Sequence, residues 1–529
     1  MQQTAHAPRA AAIAAASAML LVLAVYLLRL DRVAGLIVDD GWYVLLGQAL
    51  AQGRGFKLVS SAAAEILPVV PPGFPAILAA VFRIDPSFPA NVVALKLVSV
   101  VSMVGSGAAT GYYFSRCRRE PWSLALGLAV ATTVAPAFVF LATSTIMAEC
   151  VFMLGQMVAI ILVERSAAAN DDDWRWKTCV AALAAAAATL LRATGIALVA
   201  GAVLYLLYKR HWQRAIAFAI VVLACMLPWT VYSRVHAPTE AQRLEHGGSI
   251  VLPYTDSMRM RIAADPASGR ATRRDLAARL ANNVATVFGK DIIGVVFPGA
   301  LRGALESGQE VISIGSVGEL AGSMGNAPVT IGISLAVSTL MVLGWALTWR
   351  SGATAAEFFV PLSLAMIVLV PYQTFRYVLA LAPFLFFYLV GGTRQATRSA
   401  RPARIVLLCV IGFALLDHVQ YLQAKFGAAP DQTIEWLADS AEIDQVLGWM
   451  NDRLDGPGAV ATTNPPLVYL RTGRKTVALG DLTHRWRGWK AQGIRYLVCL
   501  VPAELPSPLD VSYRILYQTS RHKLWVIEI

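Results

Sequence analysis

Long apolar runs, separated by short polar connections, fill most of the chain before residue 425. Each run holds about 20 residues, enough for an α-helix to cross a hydrocarbon core about 30 Å thick. The pattern predicts a polytopic α-helical membrane protein with about 11 transmembrane helices. We place these helices at 11–30, 88–115, 121–141, 145–163, 177–191, 194–209, 214–233, 327–349, 355–371, 376–392 and 403–423. The first run is too long for a signal peptide and lacks a small-residue cleavage site, so we interpret it as a retained helix.

Basic residues concentrate in the short connections between the runs. Examples are Arg116, Arg118, Arg119, Lys209, Arg210, Arg394, Arg398, Arg401 and Arg404. Because Lys and Arg favour the cytoplasmic side, these connections predict a cytoplasmic N-terminus. The segments 31–87, 234–326 and 424–529 then lie outside the membrane on the opposite face. Residues 1–425 are therefore predicted to form a transmembrane domain, and residues 426–529 a separate extracytoplasmic domain.

The first outer segment, 31–87, has the pattern of two short helices. An apolar stripe at i, i+3, i+4, i+7 and i+8 predicts a helix lying in the membrane interface plane. The stripe consists of Trp42, Leu45, Leu46, Ala49 and Leu50. Gly53 is expected to end this helix. A Pro-Pro-Gly turn at 71–73 then precedes an apolar run from Phe74 to Phe82, which predicts a second partial helix.

The other two outer segments differ in character. Segment 234–326 is polar at first, has a helical stretch around 273–287, and is rich in Gly and Ser from 303 to 325. A substrate-gating loop and a flexible excursion are both compatible with this pattern. The tail predicts a small α/β domain, with helices at 443–450 and 465–469 and strands at 459–463, 495–501, 513–519 and 524–529.

Composition supports the membrane interpretation and excludes other classes. Apolar residues make up 57% and charged residues 15% of the chain, against about 45–50% and about 25% in soluble domains. The net charge of +12 follows from the basic connections and does not indicate a nucleic-acid partner. The six cysteines show no CxxC or Cys/His spacing, so no metal site is predicted from them. The sequence identifies no cofactor and leaves a bound divalent cation as an open alternative.

An acidic pair, Asp39 and Asp40, follows the first span. Carboxylates held at a bilayer surface are electrostatically unfavourable, so the pair needs a reason. Either residue could be the N-cap of the helix that follows, but one Asp is enough for that role. The second is left over, and two adjacent acids raise the pKa of one of them, which suits a general base.

Two further side chains are candidates for chemistry. Glu149 lies near the outer end of an otherwise apolar span, where an ionisable residue indicates a functional site. The alternative is a packing role in which Glu149 pairs with an arginine such as Arg192. Arg376 lies on the face where the positive-inside bias makes arginine unexpected, and its planar guanidinium fits a phosphate. Arg192 and Arg234 allow weaker versions of the same argument, and snorkelling at the interface is the alternative.

Together these motifs resemble the GT-C superfamily of membrane glycosyltransferases. The matching elements, in chain order, are Asp39-Asp40-x-x-Tyr43, Ala51-x-Gly53-x-Gly55-Phe56, Pro71-Pro72-Gly73-Phe74-Pro75, Glu149, Leu191-Arg192-Ala193-Thr194-Gly195 and Arg376-Tyr377 with Pro383. The groups that the chain resembles are the bacterial dolichyl-phosphate-mannose–protein mannosyltransferase-like and aminoarabinose transferase-like enzymes. Where the latter carry Glu-Lys before the Pro-Pro, this chain has Val69-Val70, which puts their substrate pair in doubt.

The resemblance implies a bacterial inner-membrane enzyme with a polyprenyl-phosphate sugar donor and a lipid, glycan or protein acceptor. Asp39 and Asp40 would orient and deprotonate the acceptor hydroxyl, with inversion at the anomeric carbon, and Glu149 would complete the acidic site. Tyr43, Arg192, Arg376 and Tyr377 would bind substrate. The resemblance implies no required metal.

Two alternatives remain open from the sequence. A lipid-linked glycan transporter would also carry charges in its spans, but those charges should lie near the midplane, with internal repeats. A glycan polymerase or ligase would depend on the 234–326 loop. Its activity would survive Asp39→Asn and be lost when the loop arginines are replaced.

Overall fold

The computed structural model describes residues 6–62, 65–170, 172–246, 249–262, 265–296, 327–372, 374–427, 435–454, 456, 458–479, 489, 493–502 and 513–529. The predicted Gly/Ser-rich stretch at 303–325 lies outside this range. The helices before residue 300 are α1 His6–Arg29, α2 Val38–Ala51, α3 Gly73–Ile84, α4 Val92–Tyr112, α5 Trp122–Thr133, α6 Pro136–Thr143, α7 Glu149–Ala167, α8 Trp174–Leu191, α9 Gly195–Tyr208, α10 Trp212–Val235, α11 Glu240–His246, α12 Tyr254–Ser257, α13 Arg273–Thr286 and α14 Ile292–Val296. Those after it are α15 Ala327–Gly352, α16 Ala355–Ile367, α17 Phe375–Leu379, α18 Ala382–Thr397, α19 Ala400–Phe426, α20 Glu435–Arg453 and α21 Pro465–Thr472.

The protein is a multi-pass membrane protein. Six described helices are long and apolar enough to cross a membrane, and a seventh is formed if the bent pair α5–α6 counts as one span. The six lie at Ala12–Arg29, Val92–Cys117, Glu149–Ala167, Trp212–Val235, Gly332–Gly352 and Ala400–Phe426. The predicted count of 11 is therefore not confirmed, although the predominantly helical architecture is.

Several predicted spans are shorter or broken in the structure. The span predicted at 121–141 consists of α5 and α6, bent by 50°, because Pro136 starts a new helix and cannot continue the hydrogen-bonded ladder. The span predicted at 355–371 ends at Ile367. The one predicted at 376–392 is split into α17 and α18, and Pro383 lies in the first turn of α18.

One end of the helix bundle, here named the loop face, carries the first outer segment, the described part of segment 234–296 and the tail. The amide of Val69 donates to Ile250 O at 2.8 Å, and the Phe56 and Trp229 rings meet edge-on at 5.3 Å. Helix α2 has the predicted apolar stripe, and Trp42, Leu45 and Leu46 are buried. Protein covers this stripe, since it packs in a cluster with residues such as Phe56 and Val251.

The tail forms a five-stranded sheet in the order β4-β3-β5-β7-β6. Its strands are β3 Val460–Thr462, β4 Thr476–Ala478, β5 Tyr496–Cys499, β6 Arg514–Gln518 and β7 Trp525–Glu528. A separate hairpin in segment 234–296 pairs β1 Met260–Ile262 with β2 Asp265–Arg270. Strand β4, which is three residues long, was not predicted. Its outer edge pairs with the first outer segment through a parallel bridge between Ser61 and Thr476, so the tail sheet and residues 60–62 form one continuous structure.

A buried ion pair anchors the start of the first outer segment to the bundle. Nζ of Lys96, on α4, contacts Asp31 Oδ1 at 2.6 Å and also donates to Asp31 O and Thr143 O. The second carboxylate oxygen of Asp31 accepts from Ser144 Oγ at 2.6 Å. Lys96 is fully buried and Asp31 is buried too. Water therefore cannot replace Lys96 as the partner of the Asp31 carboxylate.

We expect Lys96→Met to destabilise the protein by about 3–5 kcal/mol, because it leaves the Asp31 carboxylate buried without its cation. The double variant Lys96→Met/Asp31→Asn removes both charges and should lose much less. The measurement is the apparent melting temperature of the purified chain in detergent. Equal losses in the single and double variants would show that the charge pair itself is unimportant.

Candidate active site

Two charged residues that are 337 positions apart in sequence meet at the loop face. Nη2 of Arg376 donates to Asp39 Oδ2 at 2.8 Å. The Asp39 side chain is 46% exposed, and that of Arg376 is 20% exposed. Asp39 therefore remains accessible from outside, while the guanidinium extends from it into the protein.

The same guanidinium reaches a second acid. Nη1 of Arg376 lies 3.8 Å from Glu149 Oε1, and that oxygen is also ion-paired with Arg192 Nη1. Asp39, Arg376, Glu149 and Arg192 thus form a row of alternating charges, here named the charge row. The structure contains the predicted Glu149–Arg192 pairing, and it also brings Glu149 next to Arg376.

The charge row is not saturated. Among the described residues, Arg376 Nη1 and Glu149 Oε2 are buried atoms without a hydrogen-bond partner. Buried polar groups in folded proteins are normally paired, so an unused donor and acceptor side by side need an explanation. They mark a place where a polar ligand can bind.

Two tyrosines line the charge row. The Tyr377 ring lies 5.0 Å from the guanidinium carbon of Arg192, a cation–π distance. Tyr43 packs edge-on against Phe74 at 5.1 Å. Burial raises the pKa of Tyr43 above its ordinary value; the nearby acids Glu149 and Asp39 also raise it, and Arg192 opposes the shift. Its phenol therefore stays protonated and can donate a hydrogen bond.

Asp40 lies one residue from Asp39 but points elsewhere. It is fully buried, and its carboxylate accepts hydrogen bonds from Gly35 N at 3.0 Å and Gly41 N at 2.9 Å. The prediction that one Asp is the N-cap is wrong, because helix α2 begins at Val38 and its N-cap residue is Ile37. A catalytic role for Asp40 stays a prediction, and its contacts favour a role in holding the 35–41 turn.

The tail domain holds the same turn from the other side. Nδ2 of Asn464 donates to Gly35 O at 2.7 Å. Gly35 has a φ of +81°, and a Cβ there would lie 2.8 Å from Leu467 Cδ1. A Cβ on Gly41 would lie 2.9 Å from Pro466 Cγ. The backbone around Asp39 and Asp40 therefore packs directly against the start of α21.

A second contact set fixes the link that carries Arg376. Asn283 Nδ2, on α13, donates to Val368 O at 3.0 Å and Val370 O at 2.8 Å. The Thr374 hydroxyl donates to the buried carboxylate of Asp291. Burial raises the pKa of Asp291 to about 7, while the Thr374 hydrogen bond opposes this shift.

A small apolar cavity of about 10 Å³, room for roughly one water molecule, lies beside Tyr377. The lining residues are Phe152, Thr194, Phe359, Ser363, Met366, Ile367, Tyr377, Ala380 and Leu381. Tyr377 therefore lines both the charge row and this cavity.

A divalent cation would have to compete with arginine here. Both acids of the charge row lie within ion-pair distance of Arg376. In the part of the chain that the structure describes, no three His, Cys, Asp or Glu side chains form a group that could hold a metal.

Sequence reasoning missed the residues that support the site. Asn464, Asp291 and Asn283 are ordinary polar residues whose partners lie far away in sequence, so no local spacing reveals them. One signal was present for the tail: Asn464 followed by Pro465-Pro466 is a typical start of a helix. That pattern predicts α21 but not its contact with Gly35. For the predicted residues, the structure brings Asp39, Glu149, Arg192, Arg376, Tyr43 and Tyr377 together and directs Asp40 away.

Comparison with protein-family models and with curated protein sequences gives no match. Among solved structures, the oligosaccharyltransferase of Archaeoglobus fulgidus in the apo form matches with a TM-score of 0.53 at 11% identity, over 92% of this chain and 69% of that chain. The oligosaccharyltransferase AglB from the same organism, in complex with an inhibitory peptide and a dolichol-phosphate, gives a TM-score of 0.52 at 11% identity and the same coverage. ArnT from Cupriavidus metallidurans bound to undecaprenyl phosphate gives 0.47 at 14% identity, over 97% of each chain. The chain shares the fold of the archaeal oligosaccharyltransferase, which confirms the predicted GT-C-like fold class.

We expect Asp40 to make stability depend on pH. Burial raises its pKa from 3.8 to about 7, and the hydrogen bonds from Gly35 and Gly41 oppose the shift. A carboxyl group with a raised pKa in the folded state stabilises the fold when protonated, and this contribution is lost as the pH rises through about 7. Between pH 5 and 8, the melting temperature of the wild type should fall more than that of Asp40→Asn. Parallel curves for the two chains would contradict this prediction.

Proposed function

We propose that this chain is an inverting glycosyltransferase that moves a sugar from a polyprenyl-phosphate donor to an acceptor hydroxyl at the loop face. The observation that carries the proposal is the charge row, in which a half-exposed carboxylate lies beside an arginine whose buried Nη1 is an unused donor. A general base and a phosphate-binding group are the two elements that this reaction needs.

In the proposed reaction, the Asp39 carboxylate takes the proton of the acceptor hydroxyl. The acceptor oxygen attacks the anomeric carbon on the side opposite the phosphate, and the bond between that carbon and the phosphate oxygen breaks. The electron pair leaves on the polyprenyl phosphate, so the configuration at the anomeric carbon is inverted. The exposure of Asp39 supports this role, because an acceptor can reach it from outside the bundle.

The leaving phosphate would bind Arg376. Its Nη1 has no hydrogen-bond partner among the described residues, so it can bind a phosphate oxygen while Nη2 stays on Asp39. Arg192, which is ion-paired with Glu149, is a second positive group beside this place. Positive groups that are already in place stabilise the charge developing on a leaving phosphate without reorganisation.

The position of the charge row supports a lipid-linked donor. Glu149 begins the membrane span Glu149–Ala167, so the charge row lies at the end of a span. A donor with a charged phosphate at that depth and an apolar tail in the bilayer fits this arrangement, and a water-soluble sugar nucleotide has no such tail.

We expect Asp39→Asn to lower transfer from polyprenyl-phosphate sugars by about 10²–10⁴-fold, the usual contribution of a general base. The measurement is product formation by purified protein with a panel of such donors. The matched control is Asp85→Asn, because Asp85 is an acid of the same outer segment whose carboxylate contacts Ser87 and lies outside the charge row. Full activity of Asp39→Asn would exclude Asp39 as the base and favour a polymerase or ligase that depends on the 234–296 segment.

We expect Arg376→Lys to lower kcat/KM for the donor by roughly 10–100-fold. Lysine keeps the charge but loses one of two directed contacts, and a hydrogen bond to a charged group contributes about 1.5–3 kcal/mol. Arg54→Lys is the matched control, since Arg54 also lies at the loop face and pairs with Glu65. If both variants changed kcat/KM equally, a specific phosphate contact at Arg376 would be excluded.

A further inference from the structure

Helix α13 has the reverse of the usual amphipathic arrangement. From Asp275 to Thr286, every exposed residue is apolar, and every residue that is not exposed is polar. Leu276, Leu280 and Val284 are each 40–41% exposed, and their i, i+4, i+8 spacing places them on one face of the helix. An isolated exposed leucine is normal on a protein surface, but a whole apolar helix face is not.

The polar side of α13 is firmly attached to the protein. Arg279 donates to Met258 O at 2.9 Å and Met260 O at 2.6 Å. Asn283 donates to Val368 O and Val370 O. A rotation that buried the apolar face would break these four hydrogen bonds, so the outward position of that face is fixed by the fold.

The C-terminal end of α13 reaches the level of the membrane. The carbonyl of Phe288, in the π-helical turn Val287–Asp291 that follows, accepts hydrogen bonds from Ser334 Oγ and Ser338 Oγ at 2.9 Å each. Both serines lie in the span Gly332–Gly352. The exposed apolar surface also continues beyond the helix, since Leu369, 55% exposed, lies between the two carbonyls that Asn283 binds.

The opposite end of α13 is strongly basic. Five exposed arginines lie there: Arg259, Arg261, Arg270, Arg273 and Arg274. Arginine binds phosphate groups with its planar fork. An apolar face bordered by arginines is the combination that binds the surface of a phospholipid bilayer.

We infer that α13 lies in the phospholipid leaflet at the loop face, with Leu276, Leu280 and Val284 among the acyl chains and the arginines among the phosphate headgroups. Lipid is the occupant that fits, because the face begins at the basic end and runs down to the level of a transmembrane span. Helix α13 then joins the bilayer to the link that carries Arg376. This inference rests on contacts and exposure alone and does not depend on the proposed transferase activity.

The test uses the full chain in lipid nanodiscs that contain one copy each. A nitroxide label is attached to Leu276→Cys, Leu280→Cys or Val284→Cys, and Arg274→Cys is the matched control at the basic end. Signal from the native cysteines is measured on the wild type and subtracted. Collision rates of the label with oxygen, which concentrates in lipid, are compared with those of a water-soluble nickel chelate.

We expect the label at 276, 280 and 284 to collide more often with oxygen than with the nickel chelate. At 274 we expect the label to collide more often with the nickel chelate. Higher collision rates with the nickel chelate at all four positions would place the face in water and overturn the inference. Low collision rates with both probes would mean that protein covers the face, which would also overturn it. Three separate positions keep the test valid if one variant fails to fold.

Discussion

The alternating charges of Asp39, Arg376, Glu149 and Arg192 are the constraint on which the rest of the structure depends. An unpaired charge at the end of an apolar bundle is strongly unfavourable, so each of these side chains requires the others. They come from four segments that are far apart in sequence, and their meeting fixes where α2, α7, the α8–α9 connection and α17 lie relative to one another. The charges of the row balance, yet Arg376 Nη1 and Glu149 Oε2 have no hydrogen-bond partner among the described residues. A purely structural ion pair would use both atoms, so the unused pair indicates a ligand site.

This constraint accounts for the irregular spans. Helix α7 begins at Glu149, and α8 ends at Leu191, one residue before Arg192. Glu149 and Arg192 therefore both lie at helix ends. Gly73 lets α3 approach the end of α8 closely, since a Cβ there would lie 2.7 Å from Leu190 O. Helix α16 stops at Ile367, and hydrogen bonds from Asn283 hold the link from there to α17. A helix that continued through this link would place Arg376 elsewhere.

The sequence predicted the elements that depend on local spacing. Helices α2, α3 and α13 and most tail strands follow from periodicity. Asp39, Glu149 and Arg376 were singled out as charges in an apolar setting; the structure brings them together, and their roles stay predictions. Contacts between distant segments were beyond such reasoning. Asn464 and Gly35 are 429 residues apart, and neither residue type indicates the other. The same holds for Asp291 and Thr374. The different orientations of the Asp39 and Asp40 carboxylates also depend on the tail. Asn464 and Pro466 fix the turn that directs the Asp40 carboxylate inwards and the Asp39 carboxylate outwards.

Helices α2 and α13 show what periodicity leaves undecided. Both sequences place apolar residues on one helix face, and the stripe of α2 predicted an interfacial helix. Residues such as Phe56 and Val251 cover that stripe with protein. In α13 the polar side has the specific partners, because Arg279 and Asn283 donate hydrogen bonds to backbone carbonyls of neighbouring segments. Apolar groups gain from burial against any apolar surface, whereas a buried carbonyl needs a donor at a defined position. The directional contacts therefore decide which side of a helix faces the protein, and the apolar side faces whatever medium remains.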